Sequence, residues 1–151
     1  MAELRLAAPD DLAGVEALVH EAYCGYIARI GQRPGPMLDD YVARIAAGAV
    51  HVLAEGDAIV GILVLIPERD AMLLDNIAVH PAAQGKGYGR RLLDFAESQA
   101  RAAGFRAIRL YTHELMTENQ TLYRRTGYVE THRAVEQGLK RVFMTKCLDP
   151  C

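Results

Sequence analysis

No apolar run in this sequence approaches the length of a membrane span. The longest, Ala58 to Ile66, is far short of the roughly 20 residues that a bilayer core requires. The opening Met1-Ala2-Glu3-Leu4-Arg5 lacks the layout of a secretory signal. Charge of one sign is scarce too. Lys and Arg number 17 against 19 Asp and Glu, a net charge of −2, so no global basic field exists to hold nucleic acid or an anionic membrane. Cysteine is limited to Cys24, Cys147 and Cys151, an odd number without metal-ligand spacing, and the expectation is free thiols in a reducing cytoplasm. His20, His51, His80 and His132 likewise show neither cluster nor metal spacing. No repeat, low-complexity tract or linker divides the chain. What remains is an ordinary globular composition, 51% hydrophobic and 24% charged, over 151 residues, enough for one domain with a real core.

What is present is concentrated at Gln84-Gly85-Lys86-Gly87-Tyr88-Gly89-Arg90. Glycines stand at every second position, after the largely apolar run Met72 to Val79 and before the amphipathic run Arg91 to Ala103. A strand therefore empties into a glycine-rich turn that opens a helix. Without Cβ atoms in the way, successive backbone N–H groups can converge on one anion. The first N–H groups of a helix lack intrahelical partners and carry the positive end of its dipole. Lys86, Arg90 and Arg91 add full charges, and the whole reads as a site for phosphate or pyrophosphate. A plain glycine-rich loop without a ligand is the alternative. Two common phosphate sites are excluded by spacing. A Walker loop needs Ser or Thr directly after Gly-Lys, where this chain has Gly87; a dinucleotide fingerprint needs G-x-G-x-x-G, where this chain has G-x-G-x-G.

Periodicity supplies the rest of the order. Glu3 to Ala7 is a short strand, and Pro9-Asp10-Asp11 opens a helix whose stripe Leu12, Val15, Val19, Ala22, Tyr26 and Ile30 runs to a stop at Gly31. Gln32 to Leu38 is loop, and Asp39 to Ala47 a shorter helix ending at Gly48. Val50 to Ala54 and Ala58 to Ile66 are strands joined by Glu55-Gly56-Asp57. Met72 to Val79 is a strand buried on both faces. After the glycine loop the helix buries Leu92, Leu93, Ala96, Ala100 and Ala103, and Ala107 to Thr112 follows as a strand. Thr117-Glu118-Asn119-Gln120 is a capping box for a short helix ending at Gly127. Tyr128 to Val135 and Leu139 to Leu148 form a hairpin around Gln137-Gly138.

With Gln84, Gly87 and Gly89 in the marked positions, the loop reads Gln-x-x-Gly-x-Gly and resembles the acyl-CoA pyrophosphate loop of the GNAT superfamily of N-acetyltransferases. A second segment, Asn119-Gln120-Thr121-Leu122-Tyr123-Arg124-Arg125-Thr126-Gly127-Tyr128, is similar to that superfamily's Asn…Leu-Tyr…Gly-Tyr/Phe motif, and the element order matches over nearly the whole chain. The resemblance implies a single α/β domain over residues 1–151, with a mixed, mostly antiparallel sheet flanked by helices and splayed between the fourth and fifth strands. It implies acetyl-CoA as co-substrate, a primary amine as acceptor and direct attack in a ternary complex. Pantetheine would pair with the main chain of Ile77 and Val79, and pyrophosphate would rest on the N–H groups of Gln84, Gly85, Lys86, Gly87, Tyr88, Gly89 and Arg90. Asn119 would bond the pantetheine arm, or else simply start its helix.

The chemistry then needs an acid and a base. Transfer from a thioester expels a thiolate whose acid has a pKa near roughly 8.5, and a phenol of pKa about 10 stays protonated to meet it. Tyr123 matches the superfamily position for that role; a core tyrosine is the bland alternative. An alkylamine of pKa about 10.4 must lose a proton, for which Asp75 is a candidate base or water anchor, with Tyr111 and His113 as competitors. Tyr26, Arg29 and Arg33, with Tyr111, are candidates to shape an acceptor pocket for a small, partly anionic amine. A peptide or protein amine is the leading rival; an acyl-CoA-binding module without turnover and an ATP-using transferase stand behind it. Oligomeric state is left as monomer or homodimer.

Overall fold

The computed structural model describes Ala2–Leu148; Met1 and residues 149–151, Cys151 among them, lie outside the described residues. The elements run β1 (Glu3–Leu6), α1 (Leu12–Tyr23), α2 (Tyr26–Ile30), α3 (Tyr41–Ala46), β2 (Val50–Glu55), β3 (Ala58–Pro67), β4 (Met72–Val79), α4 (Tyr88–Ala102), β5 (Ala107–His113), α5 (Thr117–Arg125), β6 (Val129–Glu136) and β7 (Leu139–Cys147). Seven strands are hydrogen-bonded in the order β1-β2-β3-β4-β5-β7-β6. The β4–β5 pair is parallel, with a register from Met72↔Ile108 to Leu74↔Leu110 that stops there although both strands continue. This is the expected mixed sheet, with its parallel pair at the fourth and fifth strands.

The chain forms two compact units, one from the N-terminal residues to Leu65 with Asn76–Ala96, the other from Ile66–Asp75 with the residues from Glu97 onward. In the first, Val15, Leu18 and Val19 of α1, Val50, Val52 and Leu53 of β2, Ile62, Leu63 and Val64 of β3, and Leu92 and Leu93 of α4 are all buried. Each such aliphatic side chain contributes about 1.5–3 kcal/mol on burial. Gly61 lets these layers close, since a Cβ there would stand 3.2 Å from both the Leu53 Cβ and the Leu92 Cδ1. In the second, Ile108 and Leu110 of β5, Val142 and Met144 of β7, and Tyr128 form the core. The β6–β7 hairpin turns at Gln137 and Gly138, with φ of 54° and 77°, the positive pair that a two-residue turn of this twist requires.

Several expectations are corrected. The single helix to Ile30 is broken at Cys24-Gly25, where Ile27 N–H bonds back to the Cys24 carbonyl at 3.2 Å instead of continuing the four-residue ladder. Glycine at that point weakens a continuous helix by roughly 1 kcal/mol relative to alanine. The helix after the glycine loop starts at Tyr88, inside the loop, and ends before Ala103, which is exposed. The capping box does not form. Met116 is the N-cap of α5, Thr117 is already helical, and Gln120 Nε2 instead donates to the carbonyls of His113 (3.2 Å) and Glu114 (2.9 Å). Burial along β4 alternates, with Met72, Leu74, Asn76 and Ala78 buried and Leu73, Asp75, Ile77 and Val79 half-buried, so one face only is sealed. Cys24 is a free thiol, but Cys147 is disulfide-bonded, contrary to the expectation of free thiols throughout.

Candidate functional site

The glycine loop belongs to the first unit. β4 ends at Val79; a turn of 3-10 helix, Pro81–Ala83, follows, held by the His80 Nδ1 that accepts from Ala82 N–H at 3.0 Å. Gly85 and Gly87 then take φ of 84° and 81°, a conformation that excludes ordinary side chains. The two left-handed residues turn the chain into α4, and the first helical hydrogen bond is Arg91 N–H to the Gly87 carbonyl at 3.0 Å. Among the described residues, the N–H groups of Gly85 through Arg90 donate to no protein acceptor. A Cβ on Gly85, Gly87 or Gly89 would meet nothing within 4 Å. Six consecutive unused donors, open space and the start of a 15-residue helix make an anion cradle from backbone alone.

The loop's charged side chains are turned elsewhere. Lys86 Nζ lies 3.9 Å from Glu55 Oε1 with 53% of its side chain exposed, and Arg90 Nε reaches Asp94 at 3.3 Å. Arg91 donates to the Ala2 carbonyl at 2.7 Å, and Tyr88 Oη to Glu55 Oε2 at 2.7 Å. Acceptance by Glu55 holds the Tyr88 phenol above its ordinary range. Glu55, which the sequence reading left as part of a turn, thus anchors the loop from the end of β2.

On β4, the half-buried Ile77 and Val79 share one side of the strand and the buried Asn76 the other. Asn76 is the polar residue that the sequence reading passed over. Its Oδ1 accepts from Tyr23 Oη at 2.6 Å, its Nδ2 donates to Tyr41 Oη at 2.9 Å, and Tyr41 Oη donates to the Pro36 carbonyl at 2.5 Å. Tyr23 Oη also lies 3.0 Å from the Ile77 carbonyl. A buried amide has to be satisfied, and this network does so while tying α1, α3 and the Gly35–Leu38 turn to β4. Asn76 was detectable in sequence as an amide inside an apolar strand. Of the proposed acceptor residues, Arg29 lies over the Tyr26 ring at 4.9 Å from its centroid, and Arg33 is exposed.

The second unit holds the other candidates. Tyr111 Oη donates to Asp75 Oδ1 at 2.8 Å, so two residues read as rivals are partners. Arg141 lies over the Tyr111 ring at 4.3 Å, Phe143 meets it at 5.8 Å, and His132 stacks on Phe143 at 4.3 Å. Nothing in the sequence fixed the register that places Phe143 opposite Tyr111 and Arg141 opposite His113, which is why Arg141 went unremarked. His113 itself has Nδ1 accepting from Leu115 N–H at 3.0 Å, and burial lowers its pKa. Tyr123, on the inner face of α5, is 5% exposed and meets the Tyr128 ring edge-on at 5.9 Å. Asn119, half-buried in the first turn of α5, has Nδ2 3.7 Å from Met116 Sδ.

Residues 46–130, more than half of the chain, match the family described as Acetyltransferase (GNAT) domain. A mycothiol acetyltransferase of Geodermatophilus obscurus is 38% identical over 65 residues, which are 43% of this chain and 20% of that protein. The chain spans between 16% and 34% of the length of the first three curated relatives it matches. Among solved structures, a GNAT-family acetyltransferase from Streptococcus agalactiae superposes with a TM-score of 0.80 at 18% identity, over 97% of this chain and 95% of that one. A putative acetyltransferase from Salmonella typhimurium, solved with its cofactor acetyl-CoA, gives 0.73 at 22% identity, over 98% and 94%. At such identities the likeness is one of fold.

Proposed function

This chain belongs to the GNAT acetyltransferase family, and from that premise we propose that it transfers an acetyl group from acetyl-CoA to a primary amine on a small molecule. The observation that carries the reading is the run of unused N–H donors from Gly85 through Arg90 at the head of α4. Its donors point to one kind of ligand, a pyrophosphate, and the positions without Cβ leave room for its approach. Acetyl-CoA, when bound, supplies a thioester as acetyl donor.

The chain's own residues divide the remaining work. Gly85, Lys86, Gly87, Tyr88, Gly89 and Arg90 hold the pyrophosphate through the main chain, with Gln84 entering the loop. Ile77 and Val79 offer main-chain groups to the pantetheine arm, and Asn119 a side-chain amide. Tyr123 gives its phenolic proton toward the sulfur as thiolate charge develops; at ordinary values the thiolate is the weaker base by about 1.5 pKa units, so a completed transfer is uphill and the resulting phenolate is reprotonated from water. Asp75, oriented by the Tyr111 hydroxyl, takes up the proton that the amine sheds, directly or through water. Tyr26, Arg29 and Arg33 contribute to acceptor selection.

Gly89 offers the cleanest test, because its φ is ordinary and a Cβ there meets nothing. Gly89→Ala should fold and bind acetyl-CoA, whereas Gly89→Glu puts a carboxylate beside the cradle and should weaken binding by at least about 100-fold in calorimetric titration. Equal affinity in the two variants would remove the loop from the site.

A further inference from the structure

Arg141, which stands opposite His113 in the β5–β7 register, differs from other arginines of the chain. Arg5, Arg44, Arg101, Arg109, Arg124 and Arg133 leave between 35% and 51% of the side chain exposed, and each donates a hydrogen bond to a protein oxygen. Arg141 is only 14% exposed, and among the described residues its guanidinium donates none. Its Nη1 forms an ion pair with Glu136 Oε1 at 3.5 Å, on a side chain 47% exposed. A guanidinium has five N–H donors in a planar fork matched to a carboxylate, so one ion pair at 3.5 Å leaves donors for a second anion. The guanidinium carbon stands over the Tyr111 ring at 4.3 Å from its centroid, so its position is set in advance.

The same ring links this cation to the proposed base. Tyr111 carries Arg141 on its face and Asp75 at its hydroxyl, 2.8 Å away, while the Phe143 ring adjoins it at 5.8 Å. A cation and a carboxylate separated by aromatic surface complement a molecule with an amine at one end, an anion at the other and methylenes between.

We propose that Arg141 is a specificity-determining residue that receives the carboxylate of an amino-carboxylate acceptor whose amine is directed to Asp75. This rests on the transferase reading given above. Arg141 takes no part in bond making; it selects which amine is presented.

5-Aminopentanoate and pentylamine, which share a carbon chain, separate the possibilities. The wild-type protein should show a higher kcat/KM for 5-aminopentanoate, and pentanoate should compete with it while pentanol does not. Arg141→Met keeps the stem over Tyr111, and Arg141→Lys keeps the charge without the fork. The kcat/KM ratio of amino acid to alkylamine should fall roughly 10- to 100-fold in the Met variant and less in the Lys variant, through KM rather than kcat. A wild-type protein that treats both amines alike and ignores pentanoate overturns the proposal whether or not the variants fold, and so does a ratio unchanged in folded variants. If neither amine releases thiol from acetyl-CoA, the transferase reading fails instead. Calorimetric binding of 5-aminopentanoate to wild type and to Arg141→Met then decides the carboxylate site alone: a loss of binding in the variant supports it, and equal or absent binding overturns it.

Discussion

Tyr123 and Tyr128 stand five positions apart with their rings edge to face at 5.9 Å. Tyr128 is 2% exposed, and its Oη is buried without a hydrogen-bond partner among the described residues. Burial, with the nearby Glu97 carboxylate and Tyr123 behind it, pushes the Tyr128 phenol far up, so it stays neutral at any pH the fold tolerates. An unsatisfied buried hydroxyl is unfavourable, and removing it is neutral or stabilising. Tyr128→Phe should therefore raise unfolding free energy by roughly 1 kcal/mol in urea titrations and leave turnover intact. Tyr123→Phe should do the reverse, holding acetyl-CoA affinity while turnover falls by roughly 100- to 10,000-fold. A destabilised Tyr128→Phe would reveal a partner for its hydroxyl. Undiminished chemistry in Tyr123→Phe would make that residue a packing group.

Elements hold these residues through contacts that differ in how far sequence reveals them. His51 on β2 meets Phe95 of α4 edge-on at 5.0 Å, its Nδ1 is buried without a hydrogen-bond partner among the described residues, and burial lowers its pKa. The sign follows directly. The unfolded chain takes up a proton near pH 6.5 and the folded one resists, so this contribution is complete above about pH 6.5 and is lost as pH falls below it. On going from about pH 7.5 to about pH 5, the wild-type urea midpoint should drop further than that of His51→Phe; parallel drops would show that the ring titrates alike in both states. The alternation in β5 and the stripe Leu92, Leu93, Ala96 and Ala100 were legible because burial writes them into hydrophobic period. So was the loop, because Gly85 and Gly87 satisfy a backbone requirement that few other residues meet. The break at Gly25 was not, since the stripe continues through it in the right phase. Nor was the Tyr23–Asn76–Tyr41 network, whose members lie 53 and 35 positions apart, nor the β5–β7 register that sets Arg141 beside Tyr111. Local pattern reaches as far as one element, and pairing between distant elements lies beyond it.

At the scale of the whole molecule, charge is abundant but nearly cancelled. The 17 basic and 19 acidic residues sum to −2, and many are neutralised where they stand, as in Arg5–Asp11 at 2.7 Å, Arg133–Glu130 at 2.9 Å and Lys146–Glu97 at 2.9 Å. Such a surface has little net field at distance, because at about 0.1 M salt unpaired charges are screened beyond about 10 Å. Electrostatic steering works only where one sign dominates a face, and it disappears steeply with ionic strength. On the proposed reading, recognition of an acceptor depends on contacts within a few ångströms, at Asp75, Tyr111 and Arg141, which are partly sheltered from salt. That condition suits a small amine and suits a polycationic protein tail poorly. Raising salt from about 0.05 M to about 0.3 M should accordingly change kcat/KM for a small amine by less than about threefold. A loss of tenfold or more would mean that a one-signed region of the surface gathers the acceptor from a distance. The small-molecule reading would then give way to a charged macromolecular acceptor, while the acetyl-CoA cradle proposed at Gly85 through Arg90 would be untouched by the result.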